Sequence, residues 1–143
     1  MVPRRWSEYR LRRRVNFYET DCAGIVHFSW FFRYLEEAEH AMWRSAGLSV
    51  APAAGGVGFP RVNASFDYHR PLRFEDEFEV LVRVAAIGQS SMRYDCVISM
   101  GEVRVATGTT TIVCVVKDAT GLKSAPFPED VISRFEVAPP VAS

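Results

Sequence analysis

The sequence has few cysteines, and their positions exclude two common kinds of site. It contains only three, Cys22, Cys96 and Cys114. They are odd in number, widely separated and free of Cys-x-x-Cys spacing, so they indicate neither a disulfide framework nor a zinc site. We expect reduced thiols, no bound metal and a cytoplasmic location.

The sequence also lacks a long apolar run and a net charge. No stretch approaches the ~18 apolar residues of a membrane span, and no apolar export segment follows the charged N-terminus. The 17 Lys and Arg residues balance the 17 Asp and Glu residues, which removes any general attraction to nucleic acid or anionic membrane. We therefore expect neither as a partner, and we expect the N-terminal arginines to form a solvated edge.

What is present is enough for one folded domain. A chain of 143 residues, 48% of them apolar, is within the single-domain range. The predicted domain spans 1–143, with its core at about 8–120 and a short helix and tail at 128–143. We expect the segments 51–58 and 137–143 to be mobile.

One long helix is predicted from Trp30 to Ala46. Apolar side chains recur there at helical spacing: Phe31, Tyr34, Leu35, Ala38, Ala41 and Met42. Ser29 is a candidate N-cap, and Gly47 a candidate stop.

Elsewhere the apolar pattern has a period of two, which predicts strands. The predicted strands cover 9–17, 62–68, 78–84, 92–100 and 103–117, and a last short helix covers 129–135. A strand, a helix and four further strands indicate an α+β fold with an antiparallel sheet. A single helix covers one face of a sheet, and the many valines and aromatics favour a partner on the other face.

The segment 17–28, between the first strand and the long helix, is the candidate site. The first N–H groups of a helix lack internal partners and can stabilise an oxyanion. Asp21, on the same segment, could address the same carbonyl carbon. An aspartate before a helix is also a common cap or Asx-turn residue.

This segment resembles the 4-hydroxybenzoyl-CoA thioesterase family of hot-dog proteins. The matching residues are Asp21, Gly24, Ile25, Val26, His27 and Phe28, then Tyr34 to Ala38, and a second stretch from Asp67 to Asp76. The resemblance spans roughly 8–120. It implies a hot-dog fold, in which a five-stranded antiparallel sheet wraps around one long central helix. It also implies an acyl-CoA thioesterase that releases a free acid and coenzyme A from an acyl- or aryl-CoA.

The resemblance also implies catalytic roles. Asp21 would be the nucleophile or general base, the Phe28 backbone N–H the oxyanion donor, and Gly24 part of the catalytic turn. His27 stands where many members have an aromatic residue, and it could orient substrate or water or simply be packed. No metal or redox cofactor is expected, because coenzyme A belongs to the substrate.

Further residues are candidates for substrate binding. They are Tyr18, Ile25, Phe31, Ser90, Ser91 and Arg93. The phosphates of coenzyme A would need basic groups, for which the candidates are Arg70, Arg73, Arg93, Arg104 and Lys117. Acyl-carrier protein is a second candidate carrier, and the family implies a homodimer or homotetramer with its site between subunits.

Two neighbours of Asp21 are expected to play no catalytic part. Glu19 is interpreted as a surface group, and Cys22 as a small filler, because no motif places a base near it. Three alternative functions remain open: a hot-dog protein that binds acyl-CoA or acyl-carrier protein without turnover, a hot-dog hydratase or dehydratase, and a plain interaction domain.

Overall fold

The fold consists of one long helix packed on a five-stranded antiparallel sheet. The computed structural model describes residues 4–51 and 56–140. The helix is α1 (Trp30–Ser45), and the strands of the large sheet are β1 (Glu8–Arg14), β3 (Arg61–Tyr68), β4 (Glu77–Ile87), β5 (Ser91–Met100) and β6 (Val103–Val113). They lie in the order β1-β4-β5-β6-β3, with every neighbouring pair antiparallel. The predicted α+β arrangement is confirmed.

A smaller sheet and a short helix complete the described chain. The small sheet has the order β2-β7-β8 and is formed by β2 (Val57–Gly58), β7 (Val115–Asp118) and β8 (Gly121–Ser124). Helix α2 (Glu129–Ile132) follows it. Part of the predicted mobile segment 51–58 is therefore a strand, while residues 52–55 lie outside the described residues.

The core lies between α1 and one face of the large sheet. Alternate residues of β4, among them Val80 and Val82, face the helix and are fully buried. They pack in one cluster with Leu35 and Met42 of α1, and burying each such side chain contributes roughly 2 kcal/mol. Most apolar residues of the sheet thus point towards α1.

The opposite face of the sheet is polar. Its side chains include Arg12, Glu79, Asp95, Ser99 and Thr109, on neighbouring strands. Most valines and aromatics of the sheet point towards α1, and the apolar pair Leu81 and Val97 lies among these polar side chains. The partner expected on this face stays a prediction.

Three predicted element boundaries also need correction. The predicted strand 103–117 is broken at Cys114, whose N–H donates to the Ser90 carbonyl at 2.7 Å, so that β7 joins the other sheet. The first strand ends at Arg14, and Phe17–Glu19 forms a 3₁₀ turn. The final helix ends at Ile132. In the predicted mobile tail 137–143, the Ala138 N–H donates to the Val84 carbonyl at 2.8 Å. Residues 141–143 lie outside the described residues.

The two ends of α1 are built differently. At its C-terminus Gly47 has φ +80°, and the N–H groups of Gly47 and Leu48 donate to the carbonyls of Arg44 and Trp43, which is a Schellman motif. The predicted stop at Gly47 is confirmed. Ser29 occupies the predicted N-cap position, but its dihedral angles are helical and its side chain caps no N–H.

Candidate active site

Asp21 lies at the start of a small hairpin between the 3₁₀ turn and α1. Thr20 and Val26 form an antiparallel bridge, and the Asp21 N–H donates to the Ile25 carbonyl at 2.9 Å. The hairpin is held to the sheet side by a second bridge, between Ile25 and Arg73. These contacts fix where the Asp21 side chain begins.

The turn of the hairpin depends on Gly24. Its N–H donates to the Asp21 carbonyl at 2.9 Å, and its φ of +79° is in the left-handed region that favours glycine. The Asp21 carboxylate oxygen Oδ1 accepts from the Ala23 N–H at 2.8 Å, so the Asx-turn interpretation is also correct. Oδ2 has no protein donor among the described residues.

The backbone at Phe28, two residues before α1, is held from the sheet side. The Tyr68 hydroxyl, at the end of β3, donates to the Phe28 carbonyl at 3.0 Å. Within the described chain the Phe28 N–H donates to no protein acceptor. An unpaired amide at the positive end of a helix is a suitable donor to a developing oxyanion.

Asp21 and Phe28 line the same cavity, which has a volume of about 460 Å³. Its walls are largely apolar and carry four residues with polar side-chain groups, Asp21, Tyr68, His69 and Arg70. The lining residues are Asp21, Ile25, Val26, Phe28, Phe31, Tyr68, His69, Arg70 and Pro71. Asp21 is exposed to solvent, and its side chain lines the cavity beside the start of α1.

Two polar lining residues, Tyr68 and His69, were not predicted from the sequence to belong to the site. Both line the cavity because β3 ends beside the hairpin. The spacing of residues in the sequence does not reveal that contact. Their only sequence signal was membership of the stretch from Asp67 to Asp76, and partial burial raises the pKa of Tyr68.

Glu19 is not the surface group that was predicted. It is fully buried, and the Asn16 N–H donates a hydrogen bond to its carboxylate at 2.8 Å. Burial works against its charge, but hydrogen bonds from Arg13, the Asn16 N–H and Tyr34 hold its pKa below the ordinary value. Burial and the bond to Glu19 raise the pKa of Tyr34.

His27 and Tyr18 do not line the cavity. The Ser29 hydroxyl oxygen and backbone nitrogen lie 2.8 Å and 3.3 Å from His27 Nδ1. The His27 ring is therefore hydrogen-bonded to the residue that precedes α1. Tyr18 is 68% exposed and packs edge-on against Trp30. Of the residues proposed for substrate binding, Ile25 and Phe31 line the cavity.

Ser90, Ser91 and Arg93 do not line the cavity that contains Asp21. Ser90 lies in the turn between β4 and β5 and Ser91 is the first residue of β5, at the opposite end of the sheet from the hairpin. Arg93 lies on the polar outer face, beside Asp95, and lines a separate cavity. Of the basic candidates, Arg70 lines the Asp21 cavity and Arg73 is bridged to the hairpin.

The described residues contain neither a metal-binding cluster nor a membrane-spanning helix. In residues 4–51 and 56–140, no cluster of three or more His, Cys, Asp or Glu side chains is placed to hold a metal ion. None of the helices in those ranges is long and apolar enough to span a membrane. Cys22 is exposed, so it does not fill a core position, whereas burial raises the pKa of the Cys96 thiol.

Comparison with known proteins identifies the family. A family profile described as the thioesterase-like superfamily matches residues 15–135. The chain belongs to this superfamily, and it is a thioester hydrolase with the hot-dog fold. The class of enzyme and the fold predicted from the sequence are thereby confirmed.

Individual relatives resemble the chain over most of its length. A putative esterase from Aquifex aeolicus is 34% identical over 122 residues, which cover 85% of this chain and 92% of that protein. A 1,4-dihydroxy-2-naphthoyl-CoA hydrolase from Synechococcus elongatus is 30% identical, with coverages of 86% and 91%. The crystal structure of a 1,4-dihydroxy-2-naphthoyl-CoA thioesterase from Synechocystis superposes with a TM-score of 0.83 at 27% identity, covering 89% of this chain and 94% of that one.

Proposed function

We propose that this protein hydrolyses acyl-CoA thioesters to a free acid and coenzyme A, with Asp21 as the catalytic carboxylate. The observation that carries the proposal is that Asp21 and Phe28 line one cavity at the start of α1. A thioester carbonyl bound there would lie within reach of both a carboxylate and a free amide. Because a thiolate leaves easily, such a pair can suffice without a catalytic triad.

The reaction can proceed by either of two routes that use the same groups. In one, Asp21 removes a proton from a water molecule as the water oxygen bonds to the carbonyl carbon. In the other, an Asp21 oxygen attacks that carbon, and water then opens the resulting anhydride. In both, the Phe28 N–H donates to the developing oxyanion, which is typically worth ~3 kcal/mol. In the first route the carbon–sulfur bond breaks after the water oxygen has bonded to the carbon. In the second it breaks as the anhydride forms, before water opens that anhydride. In both, the thiolate leaves and takes up a proton. Neither route uses a metal or redox cofactor.

We infer an aromatic acyl group as the first substrate class to test. Phe28, Phe31 and Tyr68 supply aromatic walls, and such rings favour stacked or edge-on contact with another ring. The relative from Synechococcus elongatus is named for 1,4-dihydroxy-2-naphthoyl-CoA, so this compound should be the first in the panel. Arg70 is our candidate for a coenzyme A phosphate, and the same acyl group on acyl-carrier protein is the comparison that tests the carrier.

We further propose a homodimer formed through β3. This strand is at an edge of the large sheet, and its Val62 side chain is 60% exposed. An open edge with an exposed apolar residue is suited to pairing with a second copy. Since Tyr68 at the end of β3 lines the cavity, antiparallel pairing would bring the partner's chain to the cavity wall. Sedimentation should give twice the monomer mass, or four times for a tetramer, and Val62→Glu should shift it towards the monomer.

We place the protein in the cytoplasm, because coenzyme A thioesters are consumed there and free thiols stay reduced. Its three cysteines are all free thiols. Fractionation of cells that produce the chain tests this location.

The deciding experiment measures turnover of an acyl-CoA panel by wild type and by Asp21→Asn. Loss of the thioester ultraviolet absorbance should be followed, because the exposed Cys22 would react with thiol reagents. We expect the substitution to lower kcat by about 100-fold or more, because it removes the base or nucleophile. Asp130→Asn, an exposed aspartate in α2, is the matched control and should retain full activity. Equal rates for wild type and Asp21→Asn would rule the proposal out.

A further inference from the structure

The Glu19 carboxylate is completely hydrogen-bonded inside the protein, at the base of the hairpin that carries Asp21. Its Oε1 accepts from the Asn16 N–H at 2.8 Å and from the Tyr34 hydroxyl and Arg13 Nη1, both at 2.9 Å. Its Oε2 accepts from Arg13 Nη2 at 2.6 Å. A buried carboxylate without such donors would be strongly destabilising, so these contacts define one position for the side chain.

Arg13 also binds a second carboxylate, that of Glu37, which lies on α1. Its Nε and Nη2 donate to Glu37 at 2.7 Å and 3.1 Å, and its guanidinium lies 4.6 Å from the centre of the Tyr34 ring. One network therefore joins β1, the 3₁₀ turn and the long helix. We call Arg13, Glu19, Tyr34 and Glu37 the Glu19 network.

The Glu19 backbone ties this network to both groups of the candidate active site. Its carbonyl accepts from the His27 N–H at 2.9 Å, which closes the base of the hairpin. Asp21 follows Glu19 by two residues on one arm, and Phe28 follows His27 directly on the other. A shift of Glu19 would therefore change the separation between the Asp21 carboxylate and the Phe28 amide.

Stability alone is a weak explanation for a buried ion pair at this place. Removing two charges from water costs about as much as their attraction returns, and apolar replacements of such pairs are often neutral or stabilising. The ion pair and its hydrogen bonds instead fix the Glu19 side chain, and with it the base of the hairpin, in one position. Geometry matters here, because a misplacement of ~1 Å can cost about 100-fold in rate.

We propose that Glu19 is a positioning residue for thioester hydrolysis, holding the hairpin so that Asp21 and the Phe28 N–H address the same carbonyl. This inference rests on the proposed function. Glu19 does not line the cavity and therefore acts only through the hairpin.

The kinetic test compares Glu19→Gln with Glu77→Gln in the full chain. Glu77 forms an exposed ion pair with Arg14 at 2.8 Å, so its substitution removes a charge without touching the hairpin. We expect Glu19→Gln to lower kcat between about 10-fold and 100-fold with KM nearly unchanged, and Glu77→Gln to match wild type. Tyr34→Phe removes one hydrogen-bond donor to Glu19 and no charge, so it should lower kcat by a smaller factor. It replaces Glu19→Gln as the test if that variant does not fold. Unchanged kcat in the folded variants would overturn the inference.

Hydrogen exchange of the hairpin amides supplies a readout that needs no turnover. In Glu19→Gln the N–H groups of Asp21, Gly24 and His27 should exchange faster, while those of β4 and β5 keep their wild-type rates. If wild type hydrolyses no acyl-CoA, the proposed function fails, and the exchange result alone decides whether Glu19 holds the hairpin. Uniform acceleration across the sheet, or none in the hairpin, would mean that Glu19 is a stabilising group and not a positioning one.

Discussion

The two ends of helix α1 contrast sharply in how completely they are closed. At the C-terminal end, Trp43 is fully buried, donates from its indole N–H to the Tyr94 hydroxyl at 3.0 Å and packs against Phe59 and Phe135. Arg134 also donates to the Ala46 carbonyl there. At the N-terminal end, the Phe28 amide lacks a protein acceptor in the described chain, and the Phe28 ring is 61% exposed.

This difference separates the residues that keep the chain folded from those that we propose act on substrate. The closed end satisfies its carbonyls and fills its volume, which stabilises the domain. The open end leaves a donor and a carboxylate beside a cavity, an arrangement useful only when something binds there. Substitutions at the two ends should therefore affect different measurements.

The largest effect should come from Trp43→Ala at the closed end. Removing this side chain leaves a cavity and an unpaired hydroxyl, and we expect the free energy of unfolding to fall by about 3–5 kcal/mol. Trp30→Ala at the open end is the matched control, since Trp30 is only partly buried, and it should cost clearly less. Urea denaturation of both variants makes the measurement. Equal losses would remove the contrast between the ends.

The next prediction concerns the pH dependence that Glu19 gives to stability. Its pKa in the folded protein is below the ordinary value of 4.5, so the unfolded chain takes up the proton first as pH falls. Its contribution is therefore complete above that ordinary value and is lost as pH decreases through the lowered one. Unfolding of wild type and Glu19→Gln from neutral pH into acid should show their difference shrinking. A difference that grows in acid would contradict this sign.

A matched pair of glycines tests the same contrast through the backbone. Gly24 and Gly47 have nearly equal φ angles, +79° and +80°, one at each end of the helix. Replacing either with Ala should cost about 1 kcal/mol of stability, because L-residues disfavour this region. An added methyl group at Gly47 also meets Arg134 Nη1 at 3.1 Å, whereas the space around Gly24 is open. Only Gly24→Ala should lower kcat, so equal kinetic losses in both variants would argue against the hairpin as the active site.

The smallest effect should follow from Tyr68→Phe. This change removes the hydrogen bond to the Phe28 carbonyl and little else, so we expect roughly 1 kcal/mol or less in stability. We also expect a several-fold fall in kcat. Tyr18→Phe, whose hydroxyl only accepts from the Asn16 side chain, is the control and should behave as wild type. A loss confined to Tyr18→Phe would exclude the role given to Tyr68.

Local pattern was enough to predict most of the fold. The periods of 3.6 and two located α1 and the five strands of the large sheet within a few residues, because side-chain burial repeats with the geometry of each element. The break at Cys114 escaped prediction, since residues on both sides of it are equally suited to strands and the bond to Ser90 is distant in sequence.

The candidate site was only partly predictable. Asp21, Gly24, Ile25 and Phe28 belong to one short segment, and the resemblance to a family marked them together. Tyr68 and His69 reach the cavity from the end of β3, some forty residues further along the chain.

The sequence by itself determined the class of fold and the segment that carries a carboxylate before a helix, because both depend on neighbouring residues. Only the tertiary structure decided that Glu19 is buried and that Tyr68 and His69 line the cavity, and which face of the sheet stays polar. Glu19 and Asp21 are two residues apart, and their positions in the sequence do not reveal that Glu19 is the carboxylate that binds Arg13. Those outcomes depend on which strands pair and on what lies above them, and such contacts join residues far apart in the chain.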